Sequence, residues 1–263
     1  MALPDAPQGC VTWPNHGWFY EQWMAQQNAL LANNENGRAA RATQVFLDSE
    51  PSVAIATWWK RMYDKGYYLY SGKQRDWAAT EQAIQTGTVA MAITSSADVA
   101  NITNAAKRNN IELVTTRMPY NADKGWTGNL IGGASLWLLK DLPKEVEEGA
   151  LTFMLWLNST ENAAEWHKVT GYLPIRKSSV ALLESQGWFK ENPNFFTAID
   201  QINNSKVTPA TRGALLGAFP EIRNVVTQTM EDLMLKGGDP AQAMAKANEE
   251  ANRLLAEYNS LYQ

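Results

Sequence analysis

One cysteine, two histidines and no surplus of positive charge are all that this 263-residue sequence offers to the commonest site chemistries. Cys10 alone excludes an internal disulfide, and with only His16 and His167 beside it there is no ligand set for a structural zinc, so neither a metal nor a cofactor is expected. Lys and Arg number 23 against 27 Asp and Glu, a net charge of −4 that cannot offset a phosphate backbone, and nucleic acid is set aside as a partner. The longest apolar stretches, such as Leu151 to Leu157, fall short of the ~18–20 residues of a membrane helix, and Met1-Ala-Leu-Pro-Asp lacks the basic and apolar regions of a secretory signal. Internal repeats and low-complexity tracts are missing too. Neither G-x-S-x-G nor H-E-x-x-H occurs, and no acid pair for glycoside hydrolysis can be singled out.

What is present is a globular composition, 45% hydrophobic and 19% charged, with 11 Trp, 9 Tyr and 7 Phe. That much Trp points to flat apolar faces in a ligand site as well as to a core. Punctuation marks alternating elements. A β-like Cys10 to Trp13 precedes a helical pattern from Gly17 to Asn33, and Ser49-Glu50-Pro51 opens a second helix closed by Gly66. A short helix from Asp76 to Thr86 leads to an apolar strand, Val89 to Thr94, then Ser95-Ser96 and a helical Ala97 to Arg108. Strands are expected at Glu112 to Arg117 and Asn129 to Leu139, and helices at Pro143 to Leu157 and Thr160 to Val169 with Ser159 as cap. The rest is mostly helix: Pro220 to Leu235 stopped by Gly237-Gly238, then a helix capped by Asp239 whose buried stripe reads Met244, Ala247, Ala251, Leu254 and Tyr258. The class is α/β with a helical excess.

Several positions invite chemistry. Ser95-Ser96 offers two hydroxyls and free N–H groups at a helix start, which suits an anion or a sugar hydroxyl, or simply an N-cap. Arg223 lies in a first helical turn, where the helix dipole disfavours a cation by ~0.3–1 kcal/mol. A bound anion would account for it, and so would a surface pair with Glu221 or Asp232. Gly132-Gly133 lacks the spacing of a dinucleotide loop or P-loop but can offer backbone amides. Tyr172 sits on a connector. Trp58, Trp59, Trp137 and Trp156 lie in apolar runs and read as core, whereas Trp13 and Trp18 flank Pro14-Asn15-His16-Gly17 and can wall a cleft or pack inside.

The segments Ala90-Met91 through Ser95-Ser96, Ile131-Gly-Gly-Ala-Ser-Leu-Trp137, Glu161-Asn-Ala-Ala-Glu-Trp-His167, Thr170-Gly-Tyr-Leu-Pro-Ile175 and Pro220-Glu-Ile-Arg223 together resemble the glycerol-3-phosphate-binding group of the extracellular solute-binding proteins of ABC importers. The resemblance implies a periplasmic-binding-protein-like (type II) two-lobe fold, with 1–126 and 172–263 in one lobe and 127–171 in the other. It implies a periplasmic or extracytoplasmic binding subunit, not an enzyme, that delivers glycerol-3-phosphate or a glycerophosphodiester to a membrane permease and meets the membrane only through it. A neutral-oligosaccharide binder of the same fold is the alternative, and a carbohydrate-active enzyme a more distant one. By position, the implied ligand contacts are Trp18, Ser95, Ser96, Gly132, Gly133, Tyr172 and Arg223, with Trp13 as a second stacking ring left open by a loop of different length. The family's early strands have no counterpart here, so the resemblance also implies an N-terminally truncated member with an incomplete first lobe, weak ligand binding and an exposed apolar edge.

Overall fold

In the computed structural model, which describes residues 8–262, the chain divides into two compact units. The first comprises Met1–Thr94, Met118–Leu130 and Gln201–Gln263, the second Ser95–Arg117 and Ile131–Asp200. Strands β1 (Gly9–Thr12) and β2 (Val89–Ala92) pair in parallel, with Val11 opposite Met91. A parallel pair needs a long crossover; here it carries α1 (Gly17–Gln26), α2 (Glu50–Asp64) and α3 (Trp77–Gln85). A turn over Ser96–Asp98 then enters α4 (Val99–Arg108), followed by α5 (Lys144–Leu157), α6 (Thr160–Thr170), α7 (Lys177–Ser185), α8 (Trp188–Glu191) and α9 (Thr197–Asn203). Two long helices, α10 (Phe219–Leu235) and α11 (Pro240–Ser260), complete the first unit.

Local chemistry accounts for many of these ends. Asp239 caps α11 by accepting from the Gln242 N–H at 2.9 Å, with Pro240 in the first turn, and Ser159 caps α6 through the Asn162 N–H. The first helix stops at Gln26 rather than Asn33, because Asn28 turns left-handed at φ 56°. After it, Asn34, Glu35 and Asn36 form a left-handed turn, and the buried Asn36 Oδ1 accepts from the N–H groups of Leu31 and Ala32. On α11 the buried stripe is Met244, Ala247, Ala251 and Leu255; Leu254 is half-buried and Tyr258 exposed.

The first unit is built round rings. Trp13 stacks on Tyr68 at 3.9 Å between centroids and on Trp58 at 5.4 Å, while Trp23 and Trp59 meet it edge-on. Trp59 of α2, Met230 and Leu233 of α10, and Met244 and Leu255 of α11 complete one cluster. The second unit has a much smaller core of Val99, Ala100 and Phe195, with Trp188 and Phe189 against it. The buried His167 ring of α6 stands edge-on to Phe189 and Phe195. This packing places 99–108 and 188–196 in one unit with 131–171, whereas 127–130 falls in the first unit, so the second unit's bounds differ from the expected 127–171 at both ends.

Neither expected later strand is present among the described residues. Over 112–117 the backbone is satisfied by side chains instead: Asn194 accepts from the Thr115 N–H at 3.0 Å and donates to the Leu113 carbonyl at 3.0 Å. At Asn129–Leu130 the Gln22 amide plays the same part, accepting from the Leu130 N–H at 3.0 Å and donating to its carbonyl at 3.1 Å. Over 131–139 all side chains but the half-buried Leu138 stand in solvent, so Trp137, expected in the core, is 87% exposed, and Trp156 on α5 is exposed as well.

Candidate functional site

In the first unit, helix α1 begins where the chain is tied to α10. The Gly17 N–H donates to Thr227 Oγ1 at 3.0 Å, the Asn15 amide donates to the Thr227 carbonyl at 3.1 Å, and a Cβ on Gly17 would lie 3.2 Å from the Arg223 carbonyl. That approach carries Trp18 up to Arg223, whose guanidinium lies 5.7 Å from the Trp18 ring and 4.5 Å from the Phe219 ring. Trp18 is half-buried and keeps part of its surface in solvent. Trp13, in contrast, is closed inside the aromatic core at 1% exposure, its ring stacked on Tyr68. It is a core ring in this structure, with no face left open.

Arg223 pairs with neither Glu221 nor Asp232. Its partner is Glu21 on α1, which takes the Nε and Nη2 edge with both oxygens at 2.5 and 2.6 Å; Asp232 pairs with Lys236. The Glu21 side chain is 4% exposed, and burial pushes its carboxyl above the usual carboxylate range while the Arg223 hydrogen bonds and charge pull it back. Arg223, the fifth residue of α10, is thus balanced from another helix. Position gave no sign of Glu21, yet an acid amid buried Phe19, Tyr20, Trp23 and Met24 is itself the signal that a cation must meet it.

His16 completes this face. Its Nδ1 accepts from the Trp18 N–H at 2.9 Å, capping α1, and burial, Arg75 and Arg223 together lower its pKa to about 4. A protonated Nδ1 cannot accept that bond, so the cap requires the neutral ring. Because the folded value lies below that of the unfolded chain, the folded state binds fewer protons between about pH 6.5 and 4, and stability falls as pH drops through that window. Replacing His16 with Asn, which keeps a capping acceptor but cannot titrate, is expected to flatten this dependence; His16→Ala is expected to cost about 1 kcal/mol at pH 7. Urea melts from pH 4 to pH 7 check both, and an unchanged slope in His16→Asn would refute the assignment.

The other expected residues belong to the second unit. Ser95, rather than Ser96, is the cap: its Oγ accepts from the Ala97 N–H at 3.2 Å. Gly171 ends α6 at φ +93°, and a Cβ there would fall 2.5 Å from the Ser96 carbonyl and 2.3 Å from Val99 Cγ1. This close approach seats Tyr172 next to the serine pair, its N–H donating to Thr170 Oγ1 at 3.1 Å and its carbonyl accepting from His167 Nδ1 at 2.7 Å. The Tyr172 side chain is exposed, as are Gly132 and Gly133. Gly171→Ala is expected to cost the second unit more than 2 kcal/mol, from positive φ and steric conflict together. Chemical denaturation followed by far-ultraviolet circular dichroism measures it, and a loss below 0.5 kcal/mol would show that the contact is readily relieved.

The family model for bacterial extracellular solute-binding proteins matches residues 1–197. The chain belongs to this family. Among curated solute-binding relatives, the sn-glycerol-3-phosphate-binding periplasmic protein UgpB of Escherichia coli K12 is 35% identical over 245 residues, covering 92% of this chain and 55% of the relative. The chain therefore spans about half the length of the curated relatives it matches. Two solved structures superpose well. UgpB from Mycobacterium tuberculosis in complex with glycerophosphocholine gives a TM-score of 0.71 at 22% identity, over 96% of this chain and 59% of that one. A solute-binding protein from Agrobacterium radiobacter K84 in complex with ribitol gives 0.72 at 21%, over 94% and 60%. The fold is that of the periplasmic solute-binding proteins, helix-rich and α/β, as the motif resemblance implied. In this chain no described helix is long and apolar enough to cross a membrane, and no described group of His, Cys, Asp and Glu is arranged to hold a metal ion.

Proposed function

We propose that the chain serves as a solute-binding subunit of an ABC importer for a small polyol carrying a phosphoryl group, acting outside the cytoplasm and handing its ligand to a permease rather than converting it. The observation that carries the reading is Arg223, a guanidinium held by Glu21 beside the half-buried Trp18 ring. A planar cation of fixed orientation recognises a phosphoryl oxygen, and an indole packs against the carbon face of glycerol. The N-terminus of α10 has no side-chain cap and adds N–H groups of the same polarity. Taken by itself, the second unit offers Ser95, Ser96, Tyr172 and the Gly132-Gly133 backbone, donors and acceptors without formal charge of the kind that suits polyol hydroxyls.

Calorimetry with glycerol-3-phosphate, glycerophosphocholine, ribitol and maltose tests this reading. Phosphorylated polyols are expected to bind and maltose is not. Arg223→Lys keeps the charge but loses the planar fork, and is expected to weaken the phosphorylated ligands at least tenfold. Tight maltose binding that ignores the Lys substitution would favour a neutral-oligosaccharide site instead.

A further inference from the structure

We propose that Glu21 sets the charge preference of the Arg223 face, so that a glycerol phosphodiester with one negative charge binds more tightly than a phosphomonoester with two. The inference rests on Arg223 being the phosphate partner, and three observations carry it. First, the guanidinium edge best suited to a bidentate grip on phosphate, Nε with Nη2, is already occupied by both Glu21 oxygens. What remains for a ligand is the end-on Nη1–Nη2 pair, on a guanidinium whose charge Glu21 already shares.

Second, Glu21 has nowhere to go. It is 4% exposed, midway along α1, with Tyr20, Gln22 and Trp23 buried around it, so a ligand cannot displace it into water. An incoming anion meets a fixed carboxylate behind the guanidinium, at a depth where charges are poorly screened. Third, the charges at this face nearly cancel. Glu21 offsets Arg223, and His16 stays neutral above about pH 4. Arg75, which acts on His16 and whose Nη2 donates to Asn224 Oδ1 beside Arg223, adds a positive charge, and Glu221, two residues before Arg223 in the same helix, offsets it. The rings of Trp18 and Phe219 add none, and their electron-rich faces are turned to the Arg223 guanidinium. Such a face has no surplus positive charge to hold the second negative charge of a monoester.

The test is isothermal titration of the full 263-residue chain with glycerol-3-phosphate and with glycerophosphoglycerol, a diester without a cationic headgroup. At pH 8 the diester is expected to bind at least tenfold more tightly. The second ionisation of a phosphomonoester lies near pH 6. The preference is therefore expected to shrink severalfold on going from pH 8 to pH 5.5, as the monoester becomes a monoanion. In Glu21→Gln, folded by thermal melt, the ratio at pH 8 is expected to fall to about twofold. A Glu21 that merely supports the fold would weaken both ligands alike and leave the ratio unchanged, which overturns the inference. So does equal or tighter monoester binding by the parent chain at pH 8, or a pH-independent ratio; these two need no variant. Those results leave phosphate binding at Arg223 intact, whereas no heat with either probe removes the phosphate site and this inference together.

Discussion

Replacing Arg223 with alanine is expected to destabilise the first unit by about 2–3 kcal/mol, in addition to any loss of ligand. Breaking a buried ion pair by removing one partner costs about 3–5 kcal/mol, because the remaining charge is left without compensation, and the estimate is lowered here because Arg223 is itself 31% exposed. The pH dependence identifies the cause. Burial already holds the Glu21 carboxyl above its ordinary range, and without the Arg223 hydrogen bonds it must rise further. Between the unfolded value of about 4.3 and the raised folded value, the folded state holds more protons than the unfolded one, so stability is lost as pH increases through that window. The variant's deficit relative to the parent is thus largest near pH 8 and shrinks toward pH 5. Pairing Arg223→Met with Glu21→Leu removes both charges and is expected to recover most of the loss. Denaturant melts of the parent, the single variant and the double variant at pH 5 and pH 8 read all three effects. An Arg223→Ala deficit that is independent of pH would show that Glu21 is not the group left stranded.

The contrast between what could be read in advance and what could not follows from the range of the interactions. The Asp239-Pro240 start of α11 and the Ser159 cap of α6 are decided within four residues, and both stand where sequence places them. Leu254 and Leu255 are adjacent, and a 3.6-residue period tolerates either; packing on α11 chose Leu255. The expected strand at 112–117 has the right side chains, but a strand exists only with a partner. Asn194, some 80 residues away, supplies its hydrogen bonds instead. Arg223 was marked by the rule it breaks, while its partner lies 202 residues away and could be found only through Glu21's own anomaly, a carboxylate in a buried helix. The motifs at Ile131–Trp137 and Thr170–Ile175 disclosed the family because they are specific in sequence. Their local structure, an exposed irregular segment and a left-handed helix end, follows from contacts that no pattern records.

The second unit is expected to self-associate and to bind hydrophobic dyes strongly. Helix α5 contains the run Ala150-Leu-Thr-Phe-Met-Leu-Trp-Leu157, apolar on nearly every side, a pattern that belongs to a helix enclosed by other elements. Yet none of its residues is buried, with Leu155, Trp156 and Phe153 at 68%, 60% and 55% exposure, and Trp137 and Leu139 stand out further at 87% and 73%. A tryptophan offers about 150–250 Å². At about 25 cal/mol per Å² its full burial is worth about 4–6 kcal/mol, so two or three such side chains from each of two copies can exceed the about 4–15 kcal/mol lost in translational and rotational freedom and drive association. Sedimentation velocity between 1 and 100 µM is expected to show concentration-dependent oligomers. Trp137→Ser combined with Trp156→Ser is expected to cut both association and dye fluorescence at least threefold. Because neither ring is buried, the same pair is expected to shift the melting temperature by less than about 2 °C, which separates a surface effect from a loss of core packing. A parent chain that stays monomeric at 100 µM and leaves the dye dark would mean that these side chains are covered in solution by the chain itself.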